Sequence, residues 1–255
     1  MLPNSLTAER RNKLAQILVA EGSVRIGEVA KMFAVSTETI RKDLIYLEKK
    51  GIARKSHGGA VATSEFLERP FASKSLENIE AKNKIAQAAV KLIPENGVII
   101  LDSGSTTLSI AKLLSLKKGL TVITNSVSAA QVLAGSEIKL HLTGGEVRGI
   151  SMALAGLWTI NSLSVIKADI AFLGSSGFES HNGPCAESFA EAETKKAMVK
   201  SCKKAVVVSD SSKFKSDALI EYATWEEIAI LITDAGAPPE KVAELRRMTE
   251  VIITD

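Results

Sequence analysis

Only two cysteines, Cys185 and Cys202, occur in 255 residues, and neither belongs to a CxxC pair or has a set of His ligands beside it. That scarcity excludes a disulfide scaffold and gives no zinc site, so both thiols are expected to be free and no metal is expected. No run approaches the roughly 18 to 20 consecutive apolar residues of a membrane span. The opening MLPNSLTAERRNK lacks the apolar core of a signal peptide, so no membrane partner and a cytoplasmic location are expected. Neither GxxxxGK[ST] nor GxGxxG is present, which disfavours a nucleoside triphosphate or a dinucleotide as guest. No cofactor is expected. Internal repeats and low-complexity tracts are lacking as well.

What is there begins with a 45% hydrophobic composition, ample for one small and one medium domain. Charge is unevenly divided. Residues 1–60 hold eleven Lys and Arg against six Asp and Glu, a net +5, while the remainder carries −2. A basic excess confined to one end is the electrostatic footprint of a polyanion-binding head.

That head has a readable layout. Leu14, Ile17 and Leu18 make one apolar helical stripe, ended by Glu21-Gly22-Ser23 with Gly22 placed as a residue just past a helix C-terminus. Ile26, Val29, Ala30 and Phe33 give a second, shorter helix. Ser36 stands where an N-cap belongs, so a third helix starts near Thr37, with Ile40, Leu44 and Leu47 at i, i+4 and i+7 facing the core. Its other face carries Thr37, Thr39, Arg41, Lys42 and Tyr46, suited to phosphates and base edges. Beyond Gly51, Arg54-Lys55-Ser56-His57 leads into Gly58-Gly59, which permits the positive backbone angles of a hairpin turn. The whole reads as a winged helix-turn-helix over residues 1–62.

Residues 63–78 mix charge, Ser and Pro70 without a period and read as a linker, or as an irregular edge of the second domain. Phe66, Leu67 and Phe71 are available to dock on either side. From residue 79 to 255, buried-strand runs alternate with helical stretches: Val98 to Leu101, Leu120 to Thr124, Ile138 to Leu142, Ala168 to Leu173, Ala205 to Val208, Ile228 to Thr233 and Val251 to Ile253. This is the pattern of a parallel α/β sheet covered on both faces, whose site lies at the carboxyl ends of the strands.

Nearly every such end is small, hydroxylic or glycine-rich: Asp102-Ser103-Gly104-Ser105-Thr106-Thr107, Asn125-Ser126, Thr143-Gly144-Gly145 with Arg148 near, Gly174-Ser175-Ser176-Gly177, and Ser209-Asp210-Ser211-Ser212-Lys213. A lone loop of this kind is usually turn chemistry. Five on one edge point to a small phosphorylated metabolite, with a helix N-terminus after Thr106 and the cations Arg148 and Lys213 as partners for its anion.

The segments TIRKDLIYLEKKG, HGGA, LDSGSTT, VITNS, TGGEVR, ADIAFLGSSG, EAETKKAM and DSSKF, in that order along nearly the full chain, resemble the DeoR-type bacterial transcriptional regulators. The resemblance implies a second domain related in fold to ribose-phosphate isomerases and CoA transferases. It also implies a repressor of a sugar or polyol catabolism operon, released from operator DNA by a phosphorylated sugar or polyol. Carried onto this sequence, it implies effector contacts at Asp102, Ser103, Gly104, Ser105, Thr106, Thr107, Asn125, Gly144, Gly145, Arg148, Gly174, Gly177, Glu191, Lys195 and Lys213. DNA contacts are implied at Ser36, Thr37, Thr39, Arg41, Lys42, Lys55 and His57. Lys42 and Lys55 stand where the family commonly has Arg, which favours simple phosphate contacts there. Cys185-Ala186 and Ser188-Phe189 replace a more polar pattern, and Lys215 replaces a frequent Gly.

Two other classes fit the sequence less well. A sugar-phosphate isomerase fused to a DNA-binding domain would need a carboxylate base, for which Asp102, Asp210 and Glu191 are candidates with Lys195, but fold analogy does not transfer function, so no catalytic residue is assigned. A purely architectural DNA binder would leave the polar strand ends without purpose. The regulator reading expects a homo-oligomer, dimer or tetramer, that spaces two heads on a repeated half-site.

Overall fold

A computed structural model of the chain describes residues 7, 10, 11, 13–15, 17, 18, 21–49, 53–62, 70–179 and 181–255. It divides into two compact units, Met1–Glu68 and Arg69–Asp255. Phe66 and Leu67 lie outside the described residues, as do Gly51 and Ile52.

In the first unit, helix α1 has its described residues between 7 and 21. After it come strand β1 (Ser23–Arg25), helices α2 (Ile26–Met32) and α3 (Thr37–Lys49), and strands β2 (Ala53–Ser56) and β3 (Gly59–Ala62). Leu14 and Leu18, Val29 and Ala30, and Ile40, Leu44 and Leu47 share one core. Each such fully buried Leu or Ile contributes about 1.5–3 kcal/mol. Ser36 Oγ accepts from the Thr39 N–H at 3.1 Å, which caps α3 and fixes its start at Thr37 as expected. Gly22 has φ 74°, fitting the residue after a helix end.

The wing departs from its sequence reading. It has three antiparallel strands in the order β1-β3-β2, because Ser23–Arg25 pairs with β3. Only Gly58 takes a positive φ, 76°. Gly59 lies within β3, where a Cβ would stand 1.9 Å from the Val24 carbonyl oxygen. It serves close strand approach rather than the turn.

The second unit runs α4 (Phe71–Ser75), α5 (Ile79–Val90), β4 (Val98–Leu101), α6 (Ser105–Leu114), β5 (Thr121–Thr124), α7 (Val127–Leu133), β6 (Lys139–Leu142), β7 (Glu146–Arg148), β8 (Ala153–Ala155) and α8 (Leu157–Ser164). It continues with β9 (Ile170–Leu173), β10 (Cys185–Ala186), α9 (Phe189–Lys200), β11 (Ala205–Val208), β12 (Ile220–Glu221), β13 (Ile230–Asp234), α10 (Pro239–Leu245) and β14 (Glu250–Thr254). The seven apolar runs form one parallel sheet, ordered β14-β13-β11-β9-β4-β5-β6.

Alternation along β4 explains why these runs are continuously apolar. Ile99 and Leu101 enter a core with Ile85 of α5, Ile110 of α6 and Leu133 of α7, while Ile100 enters another with Leu163 of α8, Met198 of α9 and Leu245 of α10. Both faces are covered. The first strand, β4, is central. From it the chain winds outward to β6, then returns to β9 and winds out the other way, so the winding direction reverses between β4 and β9. A ligand crevice is expected at the carboxyl ends of those two strands.

Two strand pairs lie outside the sequence reading. The β7–β8 and β10–β12 pairs are small antiparallel additions. Of the segment read as a linker or as an irregular edge of the second domain, residues 70–78 fall in the second unit, and the Phe71 N–H donates to the Ile150 carbonyl at 2.8 Å. The helix α4 within them has no buried residue, which is why no apolar periodicity announced it.

Candidate functional site

On the first unit, Ser36, Thr37, Arg41 and Lys42 are exposed at the start of α3, Thr39 is half-buried beside them, and Lys55 and His57 are exposed on the wing. Arg41 pairs with Glu38 at 3.4 Å, both well exposed, a contact that yields easily to a phosphate. The Lys55 N–H donates to Glu48 Oε1 at 3.1 Å, tying the wing to α3. Asp43, on the same helix, is buried and accepts from Nε of both Arg10 and Arg11, at 2.6 and 2.7 Å. Tyr46, read as part of the DNA-facing surface, is exposed and lies under the Arg11 guanidinium.

On the second unit a pocket opens at the ends of β4, β9 and β11, where the winding reverses. Its floor is the first turn of α6, whose opening N–H groups have no carbonyl a turn before them and present a positive dipole end. Ser209, 2% exposed, faces the same space with a hydroxyl that has no partner among the described residues. The cations are Lys74, Lys82, Lys195 and Lys213, matched by Glu77, Glu187, Glu191 and Asp210.

Directly behind lies Asp102, 1% exposed, with one oxygen accepting from the Gly174 N–H at 2.9 Å and from Lys195 Nζ. Its other oxygen is unpartnered among the described residues. Burial raises the Asp102 carboxyl above its ordinary value, with the Lys195 ammonium opposing. Burial works to lower Lys195, but Asp102 and Glu191, the latter 3.3 Å away, outweigh it and hold the ammonium above its usual range. Lys195 also donates to the Gly174 carbonyl at 3.1 Å, and Tyr222 donates its hydroxyl to the same oxygen at 2.8 Å.

The structure thus brings together Ser103, Gly104, Ser105, Thr106, Thr107, Gly174, Glu191, Lys195 and Lys213 around one pocket, backed by Asp102. Five other expected contacts do not line it. Asn125 clamps β8, its side-chain amide donating to the Leu154 carbonyl at 3.1 Å and its own carbonyl accepting from the Leu154 N–H at 2.7 Å. Gly144 accepts from Thr159 Oγ1 at 2.7 Å, and a Cβ on Gly145 would meet that hydroxyl. Arg148 belongs to β7, with Nη1 3.4 Å from Ser151 Oγ. Gly177 packs where a Cβ would strike the Ser216 carbonyl.

Lys74, Asn78, Lys82 and Glu187 were not anticipated, and neither was Tyr222. No local motif marks them: Lys74 and Asn78 reach the pocket from the region before α5, Lys82 from the first turn of α5 and Glu187 from the loop before α9, while Tyr222, just after β12, reaches only the Gly174 carbonyl. Cys185-Ala186 turns out to be the buried strand β10, and Ser188 caps α9 by accepting from the Glu191 N–H at 3.3 Å. Among the described residues, no three His, Cys, Asp or Glu side chains converge as metal ligands, and no helix is long and apolar enough to cross a membrane.

Two family models match: a DeoR-like helix-turn-helix domain over residues 10–66 and a DeoR C terminal sensor domain over residues 77–235. A protein named as the aga operon transcriptional repressor of Escherichia coli O157:H7 is 35% identical over 97% of this chain and 94% of its own length. The glycerol-3-phosphate regulon repressor of Escherichia coli K12 is 28% identical, covering 90% of this chain and 92% of that protein. Among solved structures, ribose 5-phosphate isomerase A from Methanocaldococcus jannaschii is similar over 54% of this chain and 55% of its own, with a TM-score of 0.41 and 24% identity, a partial likeness that bears on neither ligand nor activity. With a reading head at one end, a doubly wound α/β unit after it and both family models matched in that order, the chain belongs to the DeoR family of helix-turn-helix transcriptional regulators.

Proposed function

We propose that this protein is a repressor of a sugar or polyol catabolism operon, binding operator DNA through its first unit and released by a phosphorylated sugar or polyol held in the second. The observation that carries the ligand class is the meeting of the α6 N-terminus, the Ser209 hydroxyl, unpartnered among the described residues, and Lys213 at one end of a pocket whose other walls carry Glu191 and Asp210. Backbone N–H groups and an ammonium suit a phosphate, and carboxylates suit sugar hydroxyls. The names of the relatives, an aga operon repressor and a glycerol-3-phosphate regulon repressor, support the same class.

DNA contact is assigned to Ser36, Thr37, Thr39, Arg41, Lys42, Lys55 and His57, with Arg41 the best suited to a base edge and the lysines to phosphates. The pocket binds rather than catalyses: Glu191 is engaged by Lys195, and Asp210 by Asn78 and Ser212. A homo-oligomer, dimer or tetramer, presents two heads to a repeated site. Its contact surface is assigned to the exposed Val147, Met152, Leu157 and Trp158 around β7, β8 and α8. Such a repressor works in the cytoplasm, where the operator is.

The test is fluorescence anisotropy of the purified protein on its own upstream DNA at fixed salt, with and without phosphorylated hexoses, pentoses, ketoses and polyols. Release by one compound identifies the effector. Tight, sequence-specific binding that no compound alters would remove the sugar-phosphate assignment and leave the DNA half standing.

A further inference from the structure

We infer that residues 70–78, the first segment of the sensor unit after the DNA-binding unit in the chain, relay ligand occupancy by exchanging their own ties to the pocket for ties to the ligand; this rests on the repressor reading above. The segment is held almost without apolar burial, since α4 has no buried residue. Polar contacts hold it instead. At its start the Phe71 N–H reaches the Ile150 carbonyl at 2.8 Å, in the turn between β7 and β8. In its middle, Lys74 Nζ pairs with Glu187 at 3.2 Å, both half-buried. At its end, Asn78 takes a left-handed backbone, φ 50° and ψ 36°, and its side-chain amide donates to Asp210 Oδ1 at 2.8 Å. The buried Lys82 ammonium gathers the carbonyls of Lys74 and Glu77, at 2.6 and 2.5 Å, closing the corner between α4 and α5.

Two of those ties face directly into the pocket, and both are vulnerable to the expected ligand. Lys74, Glu187, Asn78 and Asp210 all line it. A phosphate brings about two negative charges into a space whose lysines are matched by carboxylates, so it competes with Glu187 for Lys74. A sugar hydroxyl competes for Asp210 Oδ1, which already accepts from Asn78 and from the N–H and hydroxyl of Ser212. Segments anchored by few polar contacts and little apolar area are those that open at low free-energy cost. Lys74 and Asn78 are therefore positioning residues whose partners change when the pocket fills, and the chain directly preceding them leads to the reading head.

The test uses the full chain and two variants, Glu187→Gln and Asn78→Ala, with Lys74→Met as a third if either fails to fold. Operator affinity is measured without ligand, together with hydrogen exchange of the peptide covering residues 70–78 and its response to inorganic phosphate. The expected result is that the variants mimic occupancy: exchange in the segment rises, operator affinity falls by about 5- to 150-fold, and phosphate, which raises exchange in the wild type, adds little more. Raised exchange with unchanged operator affinity would overturn the relay, and so would unchanged exchange. If the wild type itself fails to bind its upstream DNA, the repressor reading fails and takes the relay with it; if the wild type binds and the variants match it, only the relay fails.

Discussion

The guanidinium of Arg11 lies 4.2 Å from the ring centroid of Tyr46. Its Nε donates to Asp43, one helical turn before that tyrosine, and Arg10 donates to the other carboxylate oxygen. Two arginines of α1, part of the basic excess that marks the head, thus hold α3. Replacing Asp43 with Ala removes both charged hydrogen bonds, but the arginines, 18% and 28% exposed, regain water. The expected loss is about 1–3 kcal/mol in the first unit, with the second unaffected. Urea unfolding followed by a probe in each unit checks this, and an unchanged first transition would show the pair to be idle.

Arg41→Ala is expected to weaken operator binding by about 1–3 kcal/mol and to relax sequence preference, leaving ligand affinity intact. Lys213→Ala should do the converse, keeping operator affinity and blunting release. Anisotropy and calorimetry on both variants separate the two sites. Failure of both variants in both assays would contradict the division.

Lys195→Met leaves Asp102 buried without its cation. Near neutral pH the cost is about 3–5 kcal/mol. An acid whose folded value is raised by burial contributes most to stability when protonated, and that contribution is lost as pH rises from the unfolded value through the folded one. The deficit of the variant should therefore shrink as pH falls from about 8 to about 5. Denaturant midpoints across that range decide the matter, since a constant deficit would mean the loss is one of packing alone.

Trp158 is 76% exposed and Leu157 69%. Trp158→Glu is expected to lower the mass seen by sedimentation while preserving the thermal transition of the sensor unit, and to weaken operator binding through lost avidity. An unchanged mass would move the oligomer contact elsewhere.

The central sheet was legible because parallel strands buried on both faces are written as unbroken apolar runs, and all seven runs became its strands. Strand order was not legible. The loops after β5 and β6 have the same residue types as those after β4, β9 and β11, yet β5 and β6 lie on the outgoing side of the winding. Asn125, Gly144, Gly145 and Arg148 consequently build the footing of the β7–β8 pair instead of lining the pocket. Lys74 and Asn78 were hidden for a different reason. They sit in a polar stretch with no period, and only the tertiary contacts to Glu187 and Asp210 give them a role.

The third strand under the wing has a bearing on affinity. With β1 paired along β3 and no room for a side chain at Gly59, the hairpin is braced on the flank away from β2 as well as by its own pairing. A freely swaying hairpin would lose its conformational entropy each time it settled on a phosphate backbone. Here that freedom is lost once, when the unit folds, so under the proposed operator assignment the attraction that Lys55 and His57 exert on a phosphate is not offset by freezing the hairpin.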